Sequence, residues 1–286
     1  MDRKIEAFLT LCRTMNYRKA ADELHLTQPA VTKQIKALEA EYHTRLFIYD
    51  GRQLHKTDKC LILETYARSM EYNYQEMQLA MQEKERLHLR IGATKSIGDY
   101  VIAPSVIQYL RNKDHELTLI VDNTEQLLKH LNDNELDFAI LEGRFDKTKY
   151  KYALFRNEPF VGIHGKDMEW PDRVERIEDL FGESIIVREK GSGTREIFEN
   201  NLKSLGYQLS AFSRVIEFSS FYLIKKAVAE GLGISFLYQS VVDGEDGIET
   251  FCVEGVQHEH EFQFVCLKNT PAWKYMEGFM QEVLNA

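Results

Sequence analysis

No stretch of this 286-residue sequence approaches the ~18 uninterrupted apolar residues that a membrane-spanning helix needs. Behind Met1-Asp2-Arg3-Lys4 there is no apolar run of the kind a secretory leader carries, so a cytoplasmic protein with no membrane partner is expected. Cysteines are few: Cys12, Cys60, Cys252 and Cys266 lie far apart in sequence, and no two form a CxxC pair. By spacing alone they read as reduced thiols, because disulfide frameworks and metal clusters use tighter spacing. Neither a G-x-S-x-G elbow nor a P-loop occurs, and Gly191-x-Gly193 lacks the third glycine of a dinucleotide fingerprint. Cys252 and Cys266 sit in apolar, strand-like contexts and read as core rather than as nucleophiles. His258-x-His260 would place two imidazoles on one strand face, but no third ligand accompanies them. The expectation is therefore a protein that is not an enzyme, with no catalytic residue, no cofactor and no metal. Internal repeats and low-complexity segments are also lacking.

Positive charge is in deficit too, with 36 Lys+Arg against 45 Asp+Glu and a formal net charge of −9. Taken whole, that balance disfavours nucleic acid as a partner. The distribution reverses the reading. Residues 1–60 carry 11 Lys+Arg against 8 Asp+Glu, a net of +3, which leaves 25 against 37, a net of −12, for the remainder. A mildly basic head on an acidic body is expected when one domain meets phosphate and the other does not. The acidic body also argues against a purely architectural DNA protein, since such proteins spread basic charge over the whole surface. With 44% apolar and 28% charged residues, the chain is ordinary globular material, long enough for about two domains.

The first 60 residues read as short helices. Ile5, Phe8, Leu9 and Cys12 recur at i, i+3, i+4 and i+7 along one helical face. A second short helix runs from Arg18 to Leu24, and Thr27 then reads as an N-cap with Pro29 in the first turn of a third. On that third helix, at about 100° per residue, Val31, Ile35 and Leu38 share one side. Thr32, Lys33 and Lys36 share the other. A DNA recognition helix needs this division: one face packs on its own domain, and the other offers donors to bases and phosphates. Ala20-Ala21 in the preceding helix permits the close crossing of a helix-turn-helix. From Thr57 to Arg86 there is no Pro or Gly, and Cys60, Leu63, Ala67, Met70, Tyr74, Met77 and Met81 form a heptad seam. Such a helix either lies on its own domain or pairs with a second copy, and its length favours pairing.

After residue 87 strand-like and helical runs alternate, which predicts a mostly parallel sheet in an α/β domain. The strand-like runs include Phe138 to Leu141, Phe160 to Ile163 and Ser184 to Arg188, with helices such as Val101 to Arg111 and Thr194 to Leu205 between them. Gly191-Ser192-Gly193-Thr194 leaves a strand and opens a helix, where free amides and the positive dipole end suit a carboxylate, sulfate or phosphate. The alternative is an ordinary capped turn. Lys95-Ser96-Ile97 and Asn123-Thr124 follow two other strands, and strand C-terminal ends are where open α/β sheets bind ligands.

Residues Phe8 to Lys56, with the run Ala20-Ala21-Asp22-Glu23-Leu24-His25-Leu26-Thr27-Gln28-Pro29-Ala30 at their centre, closely resemble the winged helix-turn-helix of LysR-type transcriptional regulators. Arg45-Leu46-Phe47 followed by Gly51-Arg52 is similar to that family's wing, although Asp50 stands where a basic or neutral residue is commoner. Thr57-Asp58-Lys59-Cys60 also departs from the usual T-x-A-G. The resemblance implies a DNA-binding domain over 1–58, a dimerising linker helix over 59–87 and an effector-binding domain over 88–286. That last domain would resemble periplasmic binding proteins, with subdomain I over about 88–163 and 266–286 and subdomain II over about 164–265. Ile91-Gly92-Ala93-Thr94 and the run Arg188 to Glu196 look most like regulators of sulfur assimilation. By the same resemblance Gln28, Pro29, Thr32 and Lys33 would approach the major groove of double-stranded DNA, Lys36 would lie nearer the backbone, Arg52 would enter the minor groove, and Thr27 would join the DNA-binding residues. Lys95, Ser96, Ile97, Thr124, Gly191, Ser192, Thr194, Phe218 and Ser219 would line a cleft for a small anionic effector. A homodimer through the linker helix, assembling into a homotetramer, is implied as well.

Overall fold

Three short helices build the head of the chain, each started by its own capping side chain. Asp2 accepts from the Lys4 amide ahead of α1 (Arg3–Thr14), and Asn16 accepts from the amides of Arg18 and Lys19 ahead of α2 (Tyr17–Glu23). Thr27 accepts from the Ala30 amide ahead of α3 (Gln28–Glu41), with Pro29 in the first turn. The apolar faces of these helices meet in a core centred on Phe8, Leu11, Ala20, Val31, Ile35 and Leu38. A two-stranded antiparallel wing, β1 (Phe47–Tyr49) and β2 (Leu54–Lys56), leads into the long α4 (Asp58–Met81). The computed structural model describes residues 2–81, 88–171 and 174–284. It divides into two compact units, one of residues 1–86 with 268–271 and one of residues 87–267 with 272–286.

The structure splits the expected seam of α4 in two. Cys60 and Ala67 are fully buried, and Leu63 packs against the same core. Met70, Tyr74, Met77 and Met81 are exposed, and Ile62 and Tyr66 extend that exposed stripe toward the start of the helix. The reason is geometric: in its first turns α4 turns one apolar face onto α1 and keeps a neighbouring one for solvent. Periodicity alone merges the two faces. Beyond Met81, the rest of the helix expected to Arg86 lies outside the described residues. Between wing and helix, buried Glu64 takes Lys56 Nζ at 2.7 Å and Arg68 at 2.6 Å. Burial alone would raise the Glu64 carboxyl, but these two cations outweigh it and hold it below the ordinary range. The four cysteines are free thiols, as expected. Cys12 and Cys60, distant in sequence, bring their Sγ atoms to 3.8 Å inside this core. The hydrogen bond between them and their burial raise the Cys12 thiol pKa.

The second unit runs β3 (His88–Thr94), α5 (Lys95–Tyr100), α6 (Ala103–Tyr109), β4 (Glu116–Asp122), α7 (Thr124–Asn132), β5 (Phe138–Leu141) and β6 (Tyr150–Gly165). It continues with β7 (Ser184–Val187), α8 (Gly193–Ser204), β8 (Arg214–Glu217), α9 (Phe221–Ala229), β9 (Ser235–Tyr238), α10 (Gln239–Val242), β10 (Ile248–Phe251), β11 (Glu259–Leu267) and α11 (Ala272–Leu284). The main sheet has the order β10-β6-β11-β5-β3-β4, with β9 also on β6, and β7 and β8 form a separate parallel pair. Among the described residues only β3, β4 and β5 run parallel within the main sheet, so it is mixed rather than mostly parallel. The chain crosses the unit along β6 and returns along β11, which forces those two strands to be antiparallel.

Several local expectations shift with this. The helix expected over Val101 to Arg111 is the shorter α6, with Pro104 in its first turn, and a separate helix, α5, precedes it over Lys95–Tyr100. Strand β6 begins ten residues before Phe160, and β10 carries too few apolar residues to show in the pattern. Cys252, just past β10, is exposed rather than core, whereas Cys266 is buried in β11. His258 precedes β11 and so does not share a strand face with His260.

Candidate functional site

On α3 the two faces separate as the angles require. Val31, Ile35 and Leu38 are buried, while Gln28, Pro29, Lys33 and Lys36 are exposed, as is Thr27 ahead of them. Thr32 is half-buried, and its Oγ1 donates to the Gln28 carbonyl at 3.0 Å, so that hydroxyl proton is spent on the helix itself. Arg52 projects from the wing turn, where Gly51 takes a φ of +93°. Asp50, the unusual acid of the wing, organises that turn. Its Oδ1 accepts from the amides of Arg52 and Gln53, each at 2.8 Å, and its Oδ2 meets His55 Nε2 at 2.7 Å. Those two amides, then His55, draw its carboxyl down to about 2. A cavity of about 610 Å³ joins the start of α2, the start of α3 and the wing, with Arg18, Gln28, Tyr49 and Arg52 on its walls. Arg18 was not singled out by the sequence, since nothing local marks the start of α2 as facing the same space as the wing.

In the second unit the expected segments converge, but around a residue that sequence reasoning missed. Glu142 follows β5 and is 2% exposed. Its Oε1 accepts from Ser96 Oγ at 2.9 Å and Thr194 Oγ1 at 2.8 Å, and its Oε2 accepts from Thr94 Oγ1 at 3.0 Å. Thr124 Oγ1 donates to the Glu142 carbonyl at 3.0 Å. Burial raises the Glu142 carboxyl, against the opposing pull of the three hydroxyls and of Arg188. The available signal was positional: Glu142 ends a parallel strand, where α/β sheets place ligand-facing groups.

The glycines of the Gly191–Gly193 loop serve this packing. Gly191 has a φ of +88°, and a Cβ on Gly193 would come within 2.7 Å of the Glu142 Cγ and carbonyl oxygen. The close approach that was expected to favour a ligand is thus made to Glu142 and Thr124. Ser192 is buried and makes no capping hydrogen bond, so the first turn of α8, like that of α5, has no side-chain cap. By contrast Asn123 caps α7 and Ser220 caps α9.

Two cations face the same region. Lys95 Nζ lies 3.2 Å from the Ser219 carbonyl and 3.6 Å from Glu189 Oε1. Arg188, 3% exposed, holds Glu189 through both carboxylate oxygens and stacks 4.1 Å from the Phe221 ring centroid. Burial would raise Glu189, but Arg188 outweighs it and keeps that carboxyl below its ordinary value. Of the other expected residues, Ile97 is turned into the core, and Phe218 is half-buried with its amide on the Val187 carbonyl at 3.0 Å. Tyr238 adds a group that no sequence pattern marked. Its ring packs edge-on to Phe160 and Phe262, and its fully buried hydroxyl has no hydrogen-bond partner among the described residues. Burial, then the charges of Glu142 and Glu158, raise its pKa.

Comparison with known proteins matches both parts. Residues 3–61 match the family described as bacterial regulatory helix-turn-helix protein, lysR family, and residues 82–286 match the LysR substrate binding domain. The HTH-type transcriptional regulator CbbR of Rhodospirillum rubrum is 34% identical over 248 residues, covering 85% of this chain and 81% of that protein. The HTH-type transcriptional regulator CysL of Bacillus subtilis is 28% identical over 243 residues, covering 83% and 80%. Among solved structures, a full-length OxyR variant from Pseudomonas aeruginosa aligns with a TM-score of 0.64 at 22% identity, covering 98% of this chain and 93% of that one. The relatives are named as regulators of transcription, not as enzymes. With a helix-turn-helix head and an effector-binding body, the chain belongs to the LysR family of transcriptional regulators.

Proposed function

We propose that this regulator reads duplex DNA with the exposed face of α3 and with the wing, and senses a small anionic metabolite at the cleft around Ser96, Thr194 and Lys95. The contacts to DNA come from Thr27, Gln28, Pro29, Thr32, Lys33 and Lys36, with Arg52 on the wing and Arg18 beside it. The anion sits at the start of α8, within reach of Lys95, Ser96, Thr124, Gly191, Ser192, Thr194 and Ser219. The subdomain boundaries near residues 163 and 266 follow the crossing strands. Two copies pair along the exposed stripe of α4, and pairs of dimers form a tetramer. Effector binding then shifts an equilibrium between assemblies that bend DNA differently. No described helix is long and apolar enough to cross a membrane, and we place this reader of DNA in the cytoplasm.

The observation that carries the anion reading is the uncapped first turn of α8 beside two cations. Its test is a thermal-shift screen of the whole protein against small metabolite anions, repeated with bound DNA. The expected result is an anion that raises the melting temperature of the wild type, does so less in Lys95→Ala, and changes the DNA footprint. An anion that binds with equal strength to both proteins and leaves the footprint as it was would refute the reading.

A further inference from the structure

We propose that Cys12 and Cys60 form a modification site in the head: a hydroperoxide joins them in a disulfide that ties α1 to the first turn of α4. The bridge then shifts the wing and weakens DNA binding. The two residues are 48 apart in sequence and belong to different helices, yet their Sγ atoms stand 3.8 Å apart. Cys12 is 3% exposed and Cys60 is fully buried, both inside the core of the head. A disulfide needs about 2 Å between its sulfurs, so each side chain has to travel only about 1 Å.

Burial decides when the reaction runs. A thiol attacks as its thiolate, and the hydrogen bond to Cys60, together with burial, keeps the Cys12 thiol protonated. The closed head is therefore inert, and reaction waits for a transient opening between α1 and α4. In that opening the first sulfur loses its proton and attacks the O–O bond of the hydroperoxide. It becomes a sulfenic acid, and the rest of the oxidant leaves as an alcohol, or as water from hydrogen peroxide. The second sulfur then displaces the sulfenic hydroxyl, which departs as water with the proton of the second thiol. The two thiols are oxidised, the O–O bond is reduced, and one S–S bond is formed.

Thr57 joins Cys60 to the wing. The Cys60 amide donates to Thr57 Oγ1 at 3.1 Å, and the Thr57 hydroxyl donates to the Arg45 carbonyl at 2.8 Å. The Thr57 amide donates to the Leu46 carbonyl at 3.0 Å, just ahead of β1. Drawing Cys60 toward α1 thus moves the base of the wing that carries Arg52. This consequence, unlike the modification itself, rests on the reading of Arg52 as a contact to DNA. One displaced arginine contact costs about tenfold in affinity.

The test uses the full-length protein with Cys252→Ser, which removes the exposed thiol and with it cross-links between molecules. After hydrogen peroxide, peptide mapping without reductant is expected to show the Cys12 and Cys60 peptides joined, and dithiothreitol to separate them. The DNA probe is a duplex selected from a random-sequence pool by the reduced protein. Oxidised protein is expected to bind it about tenfold more weakly, and reduction to restore binding. Cys60→Ala in the same background is expected to lose both effects. Absence of the joined peptide, or sulfinic acid at either cysteine in its place, would overturn the site. A joined peptide with unchanged DNA binding would overturn the coupling to the wing and leave the site standing. Reduced Arg52→Ala separates this from the reading of the wing: if it binds the duplex as tightly as its reduced parent, the role given to Arg52 fails instead.

Discussion

Gly193 has no space for a side chain, because the site a Cβ would occupy lies 2.7 Å from the Glu142 carbonyl oxygen and 2.8 Å from Thr124 Oγ1. One of those neighbours is backbone and cannot rotate away, so Gly193→Ala must displace the start of α8 from the end of β5. The expected loss is about 1–3 kcal/mol, as for other overpacked sites, read as a lower melting temperature with the far-ultraviolet spectrum kept. A melting temperature equal to the wild type would show that α8 is not seated on Glu142. Residue-scale features of this kind were the least legible in the sequence. Gly191-Ser192-Gly193 stood out as a loop of special backbone, yet its partner did not, because Glu142 ends an apolar strand like any solvent-facing acid. Four hydroxyls from Thr94, Ser96, Thr124 and Thr194 meet it only after separate strand ends are brought together. Asp50 shows the converse: a residue that looked adverse to DNA contact holds the wing turn through two amides.

At the scale of elements, sequence pattern was a better guide. Helix α3 divides into a buried and an exposed face because its apolar residues recur with the helical period, and no other element competes for the polar side. The α/β alternation was equally plain, but strand direction was not, since a crossing strand and a returning strand carry the same kind of apolar run. Helix α4 lies between these cases. Its apolar residues were visible, whereas their allotment to two faces depended on where α1 packs. The exposed stripe of Ile62, Tyr66, Met70, Tyr74, Met77 and Met81 follows spacings of four and three, as a helical partner requires. Met70→Glu combined with Met77→Glu places charge on this stripe without touching the core of the head. Sedimentation velocity is expected to show smaller particles, with helical content unchanged. A sedimentation profile identical to the wild type would remove α4 from the interface.

For the whole molecule, the division of charge sets how it holds DNA. A head of net +3 on a body of net −12 has few phosphate contacts to offer by itself. Occupancy then depends on several heads engaging one duplex together. The logarithm of affinity is expected to fall linearly with the logarithm of salt concentration. The slope for the Met70→Glu, Met77→Glu variant should be about half that of the wild type, because half as many phosphates are neutralised. Equal slopes would mean that one head makes all the contacts.

The course of β6 and β11 bears on what effector binding can do inside the second unit. These strands stay hydrogen-bonded to each other from Glu259 opposite Pro159 to Leu267 opposite Tyr150, with a single break in register between Phe262 and Gln263. Beyond Gln263 β11 is also paired with β5, and from Phe160 β6 is also paired with β9 and β10, so only the stretch between is a two-stranded ribbon. Such a ribbon resists sliding of one strand past the other, because every rung of the ladder would have to break, but it yields to torsion and to flexing at a bulge. If the effector binds where we propose, the joint it works on would be rotary rather than sliding, pivoted near Phe262. A small ligand at one end of such a joint would be read as a change of angle, a signal that grows with distance from the pivot.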